Sequence, residues 1–197
     1  MPLPGPVFLR PALPADIPLL NPLIERSART LSAGYYSPRQ IDAAIRHVFG
    51  VDSRLVDDGT YFVAQDADQI VGCGGWSRRR TLYGGDQRRV GPPVWLDPAT
   101  DAARVRAFFV APEHARRGIG RRLLDACVDA ARAAGFRRLE LMATLPGVPL
   151  YTAYGFEEME RVTDLLPDGT PIEFVRMGRP IVPTPATSPP GLPDSHS

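Results

Sequence analysis

The apolar and polar positions of the chain predict an alternation of short strands and amphipathic helices. Runs of apolar, β-branched and aromatic residues indicate strands, and apolar residues three and four positions apart indicate helices. Strands are predicted at 7–10, 61–65, 69–76, 105–110, 138–144, 156–163 and 172–177. Helices are predicted at 21–31, at 38–49, between a glycine-containing turn near 118–120 and Gly135, and near 149–154. The element order is therefore βααβββαβαββ.

Prolines and capping residues define the predicted ends of the first two helices. Asn21 followed by Pro22 predicts an N-cap and a first helical position, which leaves 16–20 as an irregular turn. The stretch 37–40, SPRQ, predicts a capping box with proline at the first helical position. Gly50 is expected to end this second helix.

Glycines and a long aperiodic segment interrupt the pattern in the middle of the chain. Gly72, Gly74 and Gly75 in the second arm of the predicted hairpin mark either a bulge or a place where a ligand approaches the main chain. The following segment, 77–103, is too long for an ordinary hairpin loop. Two interpretations of it remain open: a lid or substrate loop, and a surface insertion without a function.

The stretch 110–124, VAPEHARRGIGRRLL, joins an apolar strand to a helix through a basic turn. The first amides of a helix lack intrahelical acceptors, and the helix dipole adds partial positive charge there. Gly118 and Gly120 have no Cβ to obstruct a ligand, and Arg116, Arg117 and Arg121 add cations. The combination predicts a phosphate or pyrophosphate site. The alternative is an exposed helix entrance that happens to be basic.

This turn resembles motif A of the GNAT N-acetyltransferase superfamily, [RQ]-x-x-G-x-[GA], which holds the pyrophosphate of acetyl-CoA. The motif aligns with 115–120, ARRGIG, so its first position is Ala115, and Arg116 or Arg117 would replace the missing side-chain contact. A Walker loop needs G-K-[ST] and a dinucleotide fingerprint needs glycine at Leu123, so both are excluded. The resemblance implies cofactor contacts from Phe108, Phe109, Val110, Ala115, Arg116, Arg117, Gly118, Ile119, Gly120 and Arg121.

A second family motif follows at 150–156, LYTAYGF, which resembles motif B, [FL]-Y-x-x-x-G-F. The motif tyrosine matches Tyr151, not Tyr154, and implies a ring near the CoA sulfur. The asparagine common before this helix is absent, and LPG occupies 145–147 instead. Together with the element order, the resemblance spans roughly 7–177 and implies a single α/β (α+β) GNAT-like domain with a mixed, mostly antiparallel central sheet flanked by helices.

The resemblance implies acetyl transfer from acetyl-CoA to a primary amine of a small molecule, peptide or protein by direct attack in a ternary complex. A main-chain N–H near Phe109 or Val110 would polarise the thioester carbonyl. Tyr151 would be the general acid toward the CoA thiolate; its alternative role is to pack the helix on the sheet. Glu140 is a candidate base and equally a surface carboxylate paired with Arg138. The rival function is a non-catalytic acyl-CoA sensor or protein-interaction module on the same fold.

Six residues are expected on the acceptor side, by analogy with the family, in which the first two helices and the loop after the third strand line that side. Arginines among them would favour an anionic or carboxylate-bearing acceptor over a polyamine. The alternative is a solvated basic loop. The six residues are Tyr35, Tyr36, Trp76, Arg78, Arg79 and Arg80.

Composition limits the partners. The 197 residues carry a formal net charge of +1, which argues against nucleic acid or an anionic membrane as the main partner. No apolar run approaches the about 20 residues that span a bilayer, and the N-terminus lacks a signal pattern, so a cytoplasmic protein is expected. Cys73 and Cys127 lie in apolar contexts without metal-ligand spacing, which favours reduced core thiols and no metal.

The expected organisation is a leader at 1–6, one acetyltransferase domain at 7–178 and a proline-rich tail at 179–197. The tail carries prolines, serines and threonines that cannot form a packed core. We expect acetyl-CoA and an amine acceptor as partners, and either a monomer or a homodimer.

Overall fold

A computed structural model describes residues 7–88 and 91–181, so the predicted leader and most of the predicted tail lie outside the described residues. The helices are α1 (Ile17–Leu31), α2 (Pro38–His47), α3 (Ser53–Asp57), α4 (Ile119–Ala133) and α5 (Val148–Ala153). The strands are β1 (Phe8–Pro11), β2 (Tyr61–Asp66), β3 (Gln69–Ser77), β4 (Ala103–Val110), β5 (Arg138–Thr144), β6 (Glu157–Leu165) and β7 (Pro171–Pro180).

Within the described ranges, the strands form one sheet in the order β1-β2-β3-β4-β5-β7-β6. Neighbouring strands are antiparallel except β4 and β5, which are parallel. Apolar residues of α1 and α2 pack on one face of the sheet, and those of α4 pack on the other. The expected mixed, mostly antiparallel sheet of a single domain is confirmed.

The first helix begins earlier than predicted. α1 starts at Ile17, so Asn21 lies inside it instead of capping it, and Pro22 is an interior proline. The Asn21 Oδ1 accepts a hydrogen bond of 3.2 Å from the amide of Val51. Five buried side chains of α1 compensate for the hydrogen bond that Pro22 cannot donate.

The second helix begins as predicted. Ser37 Oγ accepts from the Gln40 amide at 3.3 Å, and Gln40 Oε1 accepts from the Ser37 amide at 2.9 Å, which confirms the capping box. The periodicity did not indicate α3, because a helix of 5 residues is too short to repeat an apolar pattern. At the other end of the chain, β7 runs to Pro180 and the Ile181 amide donates to the Arg137 carbonyl at 2.8 Å, beyond the predicted boundary at 178.

The central strands β4 and β5 separate soon after they begin. Their parallel pairing covers Ala103↔Leu139 and Arg104↔Glu140, and in the described chain no further pair joins them. Past these pairs the strands diverge. The divergence opens a space in the middle of the sheet, between the end of β4 and the start of α5.

A bulge in β4 lies where the strands diverge. Its register against β3 shifts between the pairs Gly75↔Arg106 and Cys73↔Phe109, so one residue of β3 faces two of β4. Ala107, inside the bulge, has a φ of 55°, which residues other than glycine seldom adopt. The bulge therefore carries backbone strain that neighbouring contacts must offset.

Contacts from β2 and β3 hold the bulge. The hydroxyl of the fully buried Tyr61 donates to the Ala107 carbonyl at 2.9 Å. A Cβ on Gly75 would lie 2.7 Å from the Tyr61 ring, and one on Gly74 would lie 2.7 Å from the ring of Phe108. Gly74 and Gly75 thus mark the bulge, one of the two explanations that the sequence left open, whereas a Cβ on Gly72 would lie 2.8 Å from Ile119 Cγ2 of α4.

None of the helices in the described ranges is long and apolar enough to cross a membrane.

We predict that Tyr61→Phe lowers the free energy of unfolding by about 1–3 kcal/mol, because the Ala107 carbonyl loses its donor. Urea denaturation at unchanged m-value measures the difference. The control is Tyr35→Phe, since Tyr35 is 52% exposed; it should stay within about 0.5 kcal/mol of wild type. Equal stability of Tyr61→Phe and wild type would show that the bulge does not depend on this hydrogen bond.

Candidate active site

The basic turn presents a row of main-chain amides at the start of α4. Gly118 is the N-cap with φ 79°, and Arg116 is also left-handed with φ 64°. The Arg122 amide donates to the Gly118 carbonyl at 3.0 Å. Within the described residues, the amides of 116–121 have no hydrogen-bond acceptor. Unpaired amides at the positive end of a helix dipole are suited to bind an anion.

The two glycines of the turn meet different surroundings. A Cβ on Gly118 would have no heavy atom within 4 Å, so the space over this residue is open. A Cβ on Gly120 would lie 2.9 Å from Leu150 Cδ2. Gly118 therefore leaves room for a ligand, whereas Gly120 lets α5 pack against the first turn of α4.

A groove of about 450 Å³ extends from this turn to the point where β4 and β5 diverge. Helix α1 forms one wall, and the residues before and within α5 form the other. In the described chain two arginines, Arg116 and Arg121, and His114 line it, and no carboxylate does. The predicted cofactor residues that line it are Phe108, Phe109, Val110, Ala115, Arg116, Gly118, Ile119, Gly120, Arg121 and Tyr151; Arg117 does not.

The amide of Val110 already has a partner. It donates to Ser27 Oγ at 3.3 Å, which is long for an N–H···O hydrogen bond. Ser27 itself lines the groove. A carbonyl oxygen in the groove would compete with Ser27 for this amide, one of the two that the sequence suggested for polarising a thioester.

Tyr151 lies in an apolar, aromatic setting. Its ring meets Phe108 and Phe156 edge-on, with centroids 6.3 Å and 5.8 Å away. The side chain is 8% exposed, and within the described residues its hydroxyl makes no hydrogen bond. Burial raises the pKa of Tyr151 well above 10. The phenol therefore keeps its proton across the physiological pH range and has a free donor.

A second cavity, of about 70 Å³, adjoins the groove on the face of the sheet that carries α2. The two spaces share Phe49, Phe108, Phe109, Thr144 and Tyr151. They therefore meet at the bulge and at the Tyr151 ring. Sequence reasoning missed the residues specific to the second cavity, among them Val48, Leu82, Tyr83, Arg106, Met142 and Phe174.

The two tyrosines predicted for the acceptor side have different environments. Tyr35 lines the groove. Tyr36 is buried, donates from its hydroxyl to the Glu173 carbonyl at 2.6 Å and accepts from the Leu145 amide at 2.9 Å. Burial raises the pKa of Tyr36 to about 12. Its hydroxyl thus holds the end of β5 against β7.

The remaining predicted acceptor residues line neither the groove nor the second cavity. Trp76 is buried against Phe136, with ring centroids 5.9 Å apart. Arg78 and Arg79 stack on Trp95, and Arg79 also pairs with Asp58 at 2.6 Å. Arg80 is exposed beside them. The structure therefore does not bring these side chains to the groove or to the second cavity, and their role in acceptor choice stays a prediction.

Glu140 is held by two arginines. It pairs with Arg104 and, at 3.0 Å, with Arg176, and lines neither cavity. Arg138, the partner suggested by the sequence, instead donates to the Thr100 carbonyl. Arg104 and Glu140 are partners in the parallel ladder. Strand register, and not proximity in the sequence, therefore determines which arginine pairs with Glu140. The base role of Glu140 stays a prediction.

Among the described residues, no group of three or more His, Cys, Asp or Glu side chains is placed to hold a metal ion.

Comparison with known proteins agrees with the fold. A protein-family model, described as Acetyltransferase (GNAT) family, matches residues 26–156. The uncharacterized N-acetyltransferase YsnE of Bacillus subtilis (strain 168) is 23% identical over 123 residues, 60% of this chain and 69% of that protein.

Two crystal structures share the fold. A GCN5-related N-acetyltransferase from Rhodopseudomonas palustris matches with a TM-score of 0.66 at 21% identity, over 91% of this chain and 99% of that one. The PaiA N-acetyltransferase from Thermoplasma acidophilum, in complex with coenzyme A, matches with a TM-score of 0.59 at 14% identity, over 89% and 99%. Identities this low support the fold and leave the acceptor open. Because the family model covers well over half of the chain, the protein belongs to the Acetyltransferase (GNAT) family.

Proposed function

We propose that the protein transfers the acetyl group of acetyl-CoA to a primary amine by direct attack in a ternary complex. One observation carries the proposal: the groove and the second cavity meet at Phe108, Phe109 and Tyr151. A donor in the groove and an acceptor in the second cavity would therefore meet at the bulge. The family and the coenzyme A complex of the Thermoplasma relative support acetyl-CoA as the donor.

The basic turn would bind the pyrophosphate of acetyl-CoA. The unpaired amides of 116–121 would donate to its oxygens, with Arg116 and Arg121 supplying charge from the lining of the groove. The pantetheine arm would then extend between the diverging strands toward Tyr151. Ala115 provides no polar side chain, so main-chain donors carry most of this contact.

In the reaction, the neutral amine attacks the thioester carbon, a C–N bond forms, and the C–S bond then breaks. The amine gives up a proton and the thiolate gains one. No carboxylate or histidine lines the second cavity in the described chain, so the amine would have to arrive neutral or lose its proton to water. The Val110 amide, once it leaves Ser27 Oγ, is the candidate to stabilise the oxyanion, whereas the Phe109 amide already hydrogen-bonds toward Cys73 of β3.

Tyr151 would protonate the thiolate. A free thiol has a pKa of about 8.5, and each pKa unit of mismatch costs about 1.4 kcal/mol, so a raised phenol pKa alone would oppose the transfer. Burial acts on a thiol in the same direction: it raises the pKa of Cys73, in the neighbouring strand, to about 12. Desolvation beside Tyr151 would raise the pKa of the CoA thiol in the same direction and so reduce the mismatch.

The test is a screen for CoA release from acetyl-CoA over amines, amino acids and peptide N-termini. Turnover with at least one acceptor supports the proposal. Tight binding of acetyl-CoA without turnover on any acceptor would instead favour the alternative, a non-catalytic acyl-CoA sensor or interaction module.

We predict that Gly118→Val abolishes acetyl-CoA binding measured by calorimetry, because its side chain would fill the open space over the turn. The matched control is Gly169→Val in the turn between β6 and β7. Gly169 has the same φ of 79°, and a Cβ on it would likewise have no heavy atom within 4 Å. Both variants carry a similar backbone strain of about 1–3 kcal/mol, but only the first should lose affinity. Equal affinities would place the cofactor elsewhere.

We predict that Tyr151→Phe lowers kcat by about 10²- to 10⁴-fold with little change in acetyl-CoA affinity, as expected for loss of a general acid. The control is Tyr154→Phe: the Tyr154 hydroxyl donates to Asp125 at 2.5 Å and lines neither cavity. That variant should retain kcat. A Tyr151→Phe enzyme within about twofold of wild type would show that water protonates the thiolate.

A further inference from the structure

The second cavity is small. At about 70 Å³, it has roughly half the volume of the 150 Å³ apolar cavity that accommodates one benzene molecule. At the same volume per heavy atom it can hold about three heavy atoms, with the reacting nitrogen outside it at the junction with the groove. A peptide backbone with a side chain, or the ring of an aromatic amine, exceeds this volume.

The walls of the cavity are mainly apolar. Val48 and Phe49 come from the end of α2, Leu82 and Tyr83 from the loop after β3, and Met142 and Phe174 from the floor of the sheet. Such a surface favours carbon over polar or charged groups. The selection therefore depends on shape and desolvation more than on a specific hydrogen bond.

Arg106 is the one charged side chain among the described lining residues, and its charge is offset. Its Nη2 lies 3.0 Å from Asp52 Oδ2 and also donates to the Gly84 carbonyl. The side chain is 2% exposed. A second ammonium group on the acceptor would thus find a guanidinium nearby and no lining carboxylate, an unfavourable burial of charge.

Residues 83–88, which we name the strap, keep the cavity narrow. The Tyr83 hydroxyl donates to Asp164 at 3.0 Å on one side. On the other side, the Gly85 amide donates to the Val48 carbonyl at 2.9 Å, and Gln87 Nε2 donates to the Phe49 carbonyl at 3.0 Å. These contacts join the strap to β6 and to the end of α2. They hold Tyr83 and Gly84, the two strap residues that line the cavity, in place.

We propose that the acceptor is a compact primary monoamine, with about three heavy atoms beyond its nitrogen, whose apolar part fills the second cavity against Leu82 and Tyr83. This inference rests on the proposed acetyl transfer and narrows it to one acceptor class. It excludes peptide N-termini and polyamines as good acceptors. It also differs from the sequence expectation of an anionic acceptor bound by Arg78–Arg80.

The first experiment measures kcat/KM, from CoA release, for linear amines from methylamine to hexylamine. We expect a maximum near propylamine and a loss of about tenfold or more per methylene beyond the limit of the cavity. Charge is tested by propylamine against ethylenediamine, which have equal numbers of heavy atoms; the diamine should be at least about tenfold poorer. Glycine tests the anionic class, and a short peptide tests the peptide class.

The second experiment enlarges the cavity. Leu82→Ala should move the maximum to amines longer by about two to three carbons, because that volume is freed next to the acceptor chain. Met142→Ala, on the floor, should also favour longer amines if Leu82→Ala does not fold. The control is Leu165→Ala: Leu165 is 72% exposed and lines neither cavity, so its length profile should match wild type.

The outcomes separate this inference from the proposed function. A maximum at short monoamines that moves in Leu82→Ala supports the inference. Better turnover of peptides, diamines or glycine than of propylamine would overturn it and leave acetyl transfer standing. A length profile that does not move in either folded cavity variant would also overturn it. No CoA release with any amine would overturn both.

Discussion

The hydrogen bond from the Tyr61 hydroxyl to the Ala107 carbonyl holds the bulge at which the groove and the second cavity meet. A strand without the bulge would continue its parallel pairing with β5 and close the sheet. The positive φ of Ala107, 55°, is unfavourable by itself, so the bulge persists because Tyr61 satisfies the carbonyl and Gly74 and Gly75 leave room for the rings beside it. Packing on β2 and β3 thus determines where β4 and β5 separate.

The groove combines two kinds of electrostatic environment. At the turn, unpaired amides and exposed arginines offer positive charge that solvent partly screens. At Tyr151, aromatic rings replace water, and burial raises the pKa of the phenol. A ligand with an anionic end and an apolar arm matches this gradient along its length.

Local features of the sequence predicted the fold and the turn, and contacts between distant segments account for the rest. The capping box at Ser37 and the glycines at 118 and 120 are local signals, so their structural consequences were accessible. The predicted start of α1 was wrong, because the tertiary packing of its apolar face outweighs the local preference of Asn21 and Pro22 for a helix start. The lining of the second cavity comes from the residues just after α2, from Leu82 and the strap, from the strands β4, β5 and β7, and from Tyr151 of α5. No local pattern marks residues that only the fold brings together.

The interactions of the arginines show why charge in the sequence is a weak guide to a binding site. Arg78 and Arg79 are adjacent in a basic run, yet they stack on Trp95, and Arg79 pairs with Asp58. Arg106, a single charge inside an apolar strand, lies deep in the protein against Asp52 and lines the second cavity. Burying a guanidinium is tolerable only with such a partner, because desolvation of an unpaired charge costs several kcal/mol or more. An arginine in a buried strand therefore implies a nearby carboxylate, and if the second cavity takes the acceptor as proposed, shape and desolvation would select it more than charge.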